Sequence, residues 1–522
     1  MAAARTAAVP PPASPPPATV NSTAPARVDA SLNVGTGTHA DQGPSAVRPT
    51  RRNAAKFDGM RPRRHSRRGR WNDGITGHRR IESEAWKGSM SHTAITACRI
   101  CGNPNLVPIL ELGDQALTGR FPRPEDPDPP VGPINLVKCH DDRQGRACGL
   151  LQLAHNYELS EMYGETYGYR SSVTRTMREH LKAKIERLIS LAKPGKGDLV
   201  LDIGCNDGTS LSYYEGTGVR RFGIDPSAGK FKDEYPSDIT LVVDFFSRAR
   251  IEPLLQGKRF KIITAIAMFY DLPAPLAFLT EVRSLLADDG LLELEQAYMP
   301  AVLEQCAYDG ICHEHLNYYG FAQIVWMAER AGLKIVELGF NDINGGSFRV
   351  LLAPLASPYR PDSGAIEAAL RAETARGLNT LAPYQRFRRD VVQHSDAIVR
   401  FFHEARRNGK LVLGYGASTK GNVIIQHSGL TRAEIPAIVE RYPPKYGLTA
   451  PGSRIPIISE ADGRAMKPDF FFVFPWHFRA EIVEREQDYV NGGGALVFPL
   501  PRFSIVSRYT VAAEPVRQEA GR

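Results

Sequence analysis

No apolar run in these 522 residues is long enough to cross a bilayer, and none stands ahead of a cleavage site as the core of a secretory leader would. A membrane-spanning helical architecture is therefore excluded, and a cytoplasmic protein is the expectation. Cysteine is scarce. Seven are present, an odd number, and Cys98, Cys101, Cys139 and Cys148 cluster in one short region. That pattern argues against a disulfide framework and for a metal site in a reducing compartment. Acidic residues are sparse between Arg48 and Arg80, where arginines alone exceed the formal net charge of +8. With the proline-rich PPPASPPPATV upstream, this stretch cannot bury enough apolar surface to offset its chain entropy, so residues 1–92 are predicted to be disordered. Three readings of that extension compete: a tail for nucleic acid or another acidic surface, an Arg-rich leader, and an over-extended start with translation from Met90. The last is favoured, so the basic balance says little about the folded body, and nucleic acid is an unlikely partner.

The first glycine-rich turn also lacks something: it is not GxGxxG and has no phosphate-cradling lysine, which argues against a dinucleotide pyrophosphate. What is present is LVLDIGCNDGTSL, residues 199–211. An apolar strand delivers Asp202, and the turn from Gly204 through Cys205, Asn206 and Asp207 to Gly208 lets a ligand approach the backbone. The next apolar strand, in FGIDPS, ends on Asp225, an acid placed to hold ribose hydroxyls. A later strand ends at Asp244. GxNxG between these acids suits a nucleoside cofactor without phosphates, S-adenosylmethionine (SAM).

The length suggests about three domains. Residues 93–158 read as a zinc-ribbon-like module, with the CxxC pair Cys98/Cys101 before a strand-like run and Cys139 and Cys148 after one. Four thiolates would close a structural site. The second pair is stretched by CHDDRQGRAC, which makes His140 an alternative ligand, and buried free thiols remain the competing reading. Over 159–360 a helical stretch, VTRTMREHLKAKIERLISLAK, precedes alternating strands and helices, from LVLDIG through SFRVLLA, the pattern of a doubly wound, largely parallel sheet. From about 362 one or two long helices lead to a second strand, turn and helix start, LVLGYGASTKGN, so 361–522 reads as a second Rossmann-like α/β domain. The fold class is α/β throughout its two larger parts.

One loop is dense in chemistry: YDGICHEHLNYYG, residues 308–320, which holds His313, Glu314, His315, Tyr318 and Tyr319. Acid/base catalysis is the favoured reading, against an HxH metal pair or a structural cluster with His313 and Tyr319 bonded to backbone. Carbon attacks a sulfonium methyl only after becoming an enolate or carbanion, so a base beside enolate-stabilising donors would matter here. Two further loops suit an anion. NGGSFR offers Ser347 and Arg349, and GYGASTKGN offers Ser418, Thr419 and Lys420 at a helix start.

In these motifs the chain resembles the three-domain SAM-dependent C-methyltransferases of nucleotide-linked keto-deoxysugars. The resemblance runs in order through CRIC, ELGDQALTGRF, CGLLQL, YGYRSS, LDIGCNDG, AMFYDLP, YDGICHEHLNYY, NGGSFR, GYGASTKGN, PKYGLTAPGSRIPI and WHFR. It implies a class I methyltransferase domain and SAM contacts at Gly204, Asn206, Asp207, Gly208, Asp225, Asp244, Phe269 and Tyr270. It further implies His315 as the base alpha to a 4-ketone, with Glu314 and Tyr169 orienting it and stabilising the enolate. Ser347, Lys420 and Asn422 fall near the nucleotide diphosphate of the substrate, and methylation is expected at C3 by a monomer or homodimer. Members of the family carry a tyrosine where this chain has Cys312. A SAM-dependent O- or N-methyltransferase on another small metabolite is the alternative.

Overall fold

LVLDI carries long or branched aliphatic residues at all but one position, the composition of a parallel strand covered on both faces. Leu199–Ile203 (β1) is buried along its whole length. It lies in a seven-stranded sheet of the computed structural model, which describes residues 89–140, 147–163 and 168–511. The expectations for residues 1–88 fall outside the described residues. With β1 pair Arg220–Ile224 (β2), Ile239–Val242 (β3), Phe260–Ile266 (β4), Leu286–Ala297 (β5), Leu333–Asn341 (β6) and Ser347–Pro354 (β7). Their order is β6-β7-β5-β4-β1-β2-β3, and β7 alone runs against the others. The chain leaves β1 for β2 and β3 on one side and returns to β4 and β5 on the other, so a crevice opens over the carboxyl ends of β1 and β4.

The helix before β1 spans Arg175–Ala192 (α1). Thr174 caps its start by accepting from the Met177 amide, and Lys193 ends it in a left-handed conformation before Pro194. Leu181, Ile185 and Leu188 face inward, and so does Lys184.

The cysteine-bearing module folds as an antiparallel sheet of Leu106–Ala116, Val131–Cys139 and Leu151–Leu153. Its fourth strand is Asn317–Tyr318, which belongs to the chemistry-rich loop; Asn317 pairs with Gln152 and Tyr318 with Leu151. A two-residue strand has no periodicity to read, and this pairing was not anticipated from the sequence. Leu150, Cys98 and Ile100 share an apolar cluster with the seven-stranded sheet, which includes Tyr319 and Phe321. Ile109, Leu136 and Leu151 share another with Tyr308, Ile311 and the core of the third sheet. Full burial of a side chain such as Ile311 or Phe321 contributes about 1.5–3 kcal/mol, so the loop is held from both sides.

Two helices follow, Ser363–Ala375 (α2) and Ala382–Arg407 (α3). The third sheet contains Val412–Tyr415 (β8), Ile438–Glu440 (β9), Ile457–Ser459 (β10), Phe470–Val473 (β11), Ala495–Phe498 (β12) and Ser504–Val506 (β13). Its order is β10-β9-β8-β11-β12-β13, parallel except for β13. The short strands β10 and β13 were not foreseen. Thr419–His427 (α4) follows β8, capped by Ser418.

Candidate active site

The four cysteines converge: their Sγ atoms all lie within 4.8 Å of one another. Cys98 and Cys148 are 3.5 Å apart, as are Cys101 and Cys139. The long spacer therefore still returns Cys148 to the cluster, and His140 is not one of the four. Asn103 donates to the Cys139 sulfur at 3.4 Å, and the buried Lys138 ammonium donates to the Gly149 carbonyl at 2.8 Å. Four soft donors with donors of hydrogen bonds behind them fit a closed, tetrahedral, structural zinc ion.

The turn after β1 bends because Gly204 and Gly208 both sit at φ +76°, where a side chain would be strained. A Cβ on Gly208 would also fall 2.8 Å from the Tyr235 ring. The Asn206 amide donates to Asp225 Oδ2 at 2.9 Å, which ties the turn to the end of β2. Burial pushes the Asp202 carboxyl up to about 7, and the Thr264 hydroxyl bonded to it at 2.6 Å opposes that rise.

A cavity of about 600 Å³ opens over these strand ends. Gly204, Asn206 and Asp225 line it from one side, Tyr270 and Gln296 from the ends of β4 and β5, and Glu314 and His315 from the loop. The loop NGGSFR contributes Ser347 and the helix α4 contributes Lys420. Those two loops touch, since Lys420 Nζ donates to the Asn344 carbonyl at 2.8 Å.

The two histidines of the loop diverge. His315 Nδ1 donates to the Gly310 carbonyl at 2.8 Å, which leaves the lone pair on Nε2. Its ring meets Tyr270 edge-on at 4.5 Å. Burial, helped by the charge of Lys420, lowers its pKa to about 4, so the imidazole is a neutral base at pH 7. His313 is fully buried away from the cavity, donates from Nε2 to the Gly132 carbonyl at 3.0 Å and packs on Tyr157. Glu314 is buried at 4% exposure, and burial raises its pKa. Tyr169 lines the cavity with 46% of its surface exposed.

Other residues expected at the site stand off the cavity wall. Asp207 accepts from the Ser172 amide at 3.1 Å and Arg170 Nε at 3.2 Å, and so anchors the segment that carries Tyr169. Gly208 packs on Tyr235. Asp244 is paired with Arg250 at 2.9 Å, while its neighbours Phe245 and Phe246 reach the cavity instead. Phe269 is buried in the core, stacked on Tyr319. Asn422 is spent on the Thr118 carbonyl at 2.7 Å, and Arg349 on Glu337 at 2.6 Å.

The sequence reading missed Asp271, Gln296, Asn317 and His477, all on the wall. Asp271 Oδ1, both Gln296 amide atoms, Asn317 Oδ1 and His477 Nδ1 are buried without a hydrogen-bond partner, as is Glu314 Oε2. Each such atom costs about 1–3 kcal/mol unless something satisfies it, which is the signature of a ligand site. Asp271 and His477 stood inside motifs already singled out, AMFYDLP and WHFR, but no local rule assigns them a direction. Glu295, also on the wall, is charged. Burial would raise its carboxyl, but His180 at 2.5 Å and Lys184 at 2.8 Å hold it down to about 2.

The strand order with its single reversed strand, and the glycine turn facing the acid of β2, define a class I SAM-dependent methyltransferase. Three family models match in succession: "Putative zinc binding domain" over residues 98–163, "Methyltransferase domain" over 173–338 and "C-methyltransferase C-terminal domain" over 342–501. C-methyltransferase NovU of Streptomyces niveus is 28% identical over 426 residues, covering 79% of this chain and 97% of that protein. The tRNA U34 carboxymethyltransferase of Aeromonas salmonicida (strain A449) is 30% identical over 172 residues, 31% of this chain and 50% of its own length. Among solved structures, magnesium protoporphyrin IX methyltransferase of Synechocystis PCC 6803 with bound SAM is 16% identical at a TM-score of 0.27, covering 36% of this chain and 86% of that one. The chain is a SAM-dependent C-methyltransferase with a zinc-binding N-terminal module.

Proposed function

We propose that the acceptor is the carbon beside the ketone of a nucleotide-diphosphate 4-keto-deoxysugar, at C3, and that His315 enolises it. The observation that carries this reading is a neutral imidazole, its Nδ1 tied to Gly310 and its Nε2 free, on the wall of the cavity that the SAM turn also lines. Bound SAM supplies an electrophilic methyl. His315 Nε2 removes the alpha proton, and Glu314 and Tyr169 orient and stabilise what forms. The cavity walls keep enolate carbon and methyl in one orientation and exclude water.

The contact between Lys420 and Asn344 supports a diphosphate lying across both loops. A second cavity, of about 690 Å³, shares Ser418 with the first and is lined by five arginines, among them Arg178 and Arg441, and by Glu440, Glu460 and Glu481, an excess of positive charge that favours an anionic ligand reaching between the two. In this division of labour residues 93–158 seat the loop, 159–360 hold SAM and 361–522 present the nucleotide.

The test is exchange in D2O over a panel of nucleotide 4-keto-sugars, without SAM and then with it. Deuterium entry beside the ketone, lost in His315→Asn, followed by methyl gain on adding SAM, is expected. SAM binding with neither exchange nor methyl gain would refute it and leave oxygen or nitrogen acceptors.

A further inference from the structure

We infer that Asp271 is a second catalytic group of this site: a carboxylic acid, held protonated beside Glu314, whose hydroxyl donates to the ketone oxygen as it becomes an enolate. The inference rests on the carbon-methylation reading above.

Asp271 closes the short turn Phe269–Asp271 after β4. The preceding residue, Tyr270, packs on His315 at 4.5 Å, and Asp271 and His315 line the same cavity. Its Oδ1 and the Oε2 of the buried Glu314 are both without a partner, and Gln296, 2% exposed, points a wholly unpaired amide at the same space. Among the described residues no cation compensates the two carboxyls: Lys420 is the one lysine or arginine of those lining this cavity, and its ammonium is bonded to Asn344. The groups that bear on Asp271 and Glu314 are the phenols of Tyr163, Tyr270, Tyr318 and Tyr319, the Cys312 thiol, the backbone N–H groups of Gly119 and Glu314, and the two carboxyls themselves. The charge of Glu314 disfavours ionisation of Asp271, and burial keeps the proton on. Burial first, then the charge of Glu314, lifts Asp271 well above the usual carboxylate range, against a hydrogen bond from Tyr163.

The site also needs such a donor. At position 312 a thiol stands where the resemblance leads one to expect a phenol, and a thiol donates weakly. In the step itself His315 Nε2 takes the alpha proton, the C–H pair becomes the new C=C bond, and the carbonyl π pair moves to oxygen. The Asp271 O–H donates to that oxygen and keeps its proton.

The experiment compares Asp271→Asn with Asp271→Ala in the full chain, by deuterium exchange and by kcat and KM for both substrates. Asparagine keeps an N–H donor, so Asp271→Asn is expected to retain exchange within about tenfold. Asp271→Ala should lose about 10²–10³ in kcat with SAM affinity unchanged. The wild-type rate should fall at alkaline pH as Asp271 ionises, a limb that Asp271→Asn lacks. A protonated-carboxyl C=O band in the infrared spectrum at neutral pH should vanish in Asp271→Asn, whether or not substrate is present. Equal loss in both variants, wild-type exchange in Asp271→Ala, or no such band each overturns the inference. If the wild type exchanges no keto-sugar at all, the underlying reading fails instead, and the infrared band then still reports the protonation state.

Discussion

His313 and His315 are two residues apart and chemically identical, yet their surroundings give them opposite uses. His313→Asn should leave SAM affinity intact but lower stability by about 1–3 kcal/mol, read from denaturant unfolding, because it strips a buried bond to Gly132. His315→Asn should leave stability nearly unchanged and reduce exchange at least about a hundredfold. Because burial lowers the His315 pKa to about 4, the base stays neutral well below the ordinary histidine range. The acid limb of kcat/KM for the nucleotide sugar is therefore expected near pH 4, rather than near the unperturbed value of about 6.5. A limb near 6.5 would mean that His315 is more open to water than its packing on Tyr270 allows. Lys420→Ala should raise KM for the proposed nucleotide sugar and leave KM for SAM alone, since its ammonium bridges the two loops proposed to hold the diphosphate.

At the scale of elements, the strand Asn317–Tyr318 is the device that positions His315. It is the fourth strand of the zinc module and begins two residues after His315. Asn317 also donates from Nδ2 to the carbonyls of Tyr270 and Leu272 at 3.2 and 2.8 Å, so the loop, the module and the turn after β4 are tied at one residue. Removing the zinc with a strong chelator, or Cys101→Ser, should loosen this sheet and abolish deuterium exchange. SAM affinity should survive, as calorimetry would show, since the glycine turn after β1 lies outside the zinc module. Parallel loss of both would mean that the metal holds the SAM sheet as well as the loop.

For the molecule as a whole, buried titratable groups couple stability to pH in both directions. Burial lowers the pKa of His313 and His315 to about 4, and that of His394 and His477 also falls below the ordinary value. Between about pH 6.5 and 4 the unfolded chain binds protons that these imidazoles refuse in the fold. Their contribution to stability therefore declines as pH falls through that window and is recovered above it. The buried carboxyls of Asp202, Asp271, Asp309 and Glu314, which hold their protons more tightly in the fold, contribute in the opposite sense. Cooperative unfolding followed by circular dichroism should show that His313→Asn loses less stability than the wild type as pH falls from about 6.5 to about 4. The same pH dependence in both proteins would contradict the burial of the His313 ring.

The class of this enzyme was legible because its marks are local. Continuous apolar runs ending in Asp202 and Asp225, a GxNxG turn and paired cysteines each encode their geometry within a few residues, so the SAM sheet, the second α/β sheet and the zinc cluster could be read from spacing alone. The resemblance then supplied residue roles, and only some of those residues reach the cavity wall. Asp207, Asp244 and Asn422 are consumed by Ser172, Arg250 and Thr118, partners that no periodicity announces. Tertiary structure alone decided which histidine faces the cavity and which carboxyl oxygens are left without partners, and it alone paired Asn317–Tyr318 with the zinc module. Those outcomes depend on contacts between segments far apart in the chain, where burial and the absence of a compensating charge, rather than residue type, set what a side chain can do.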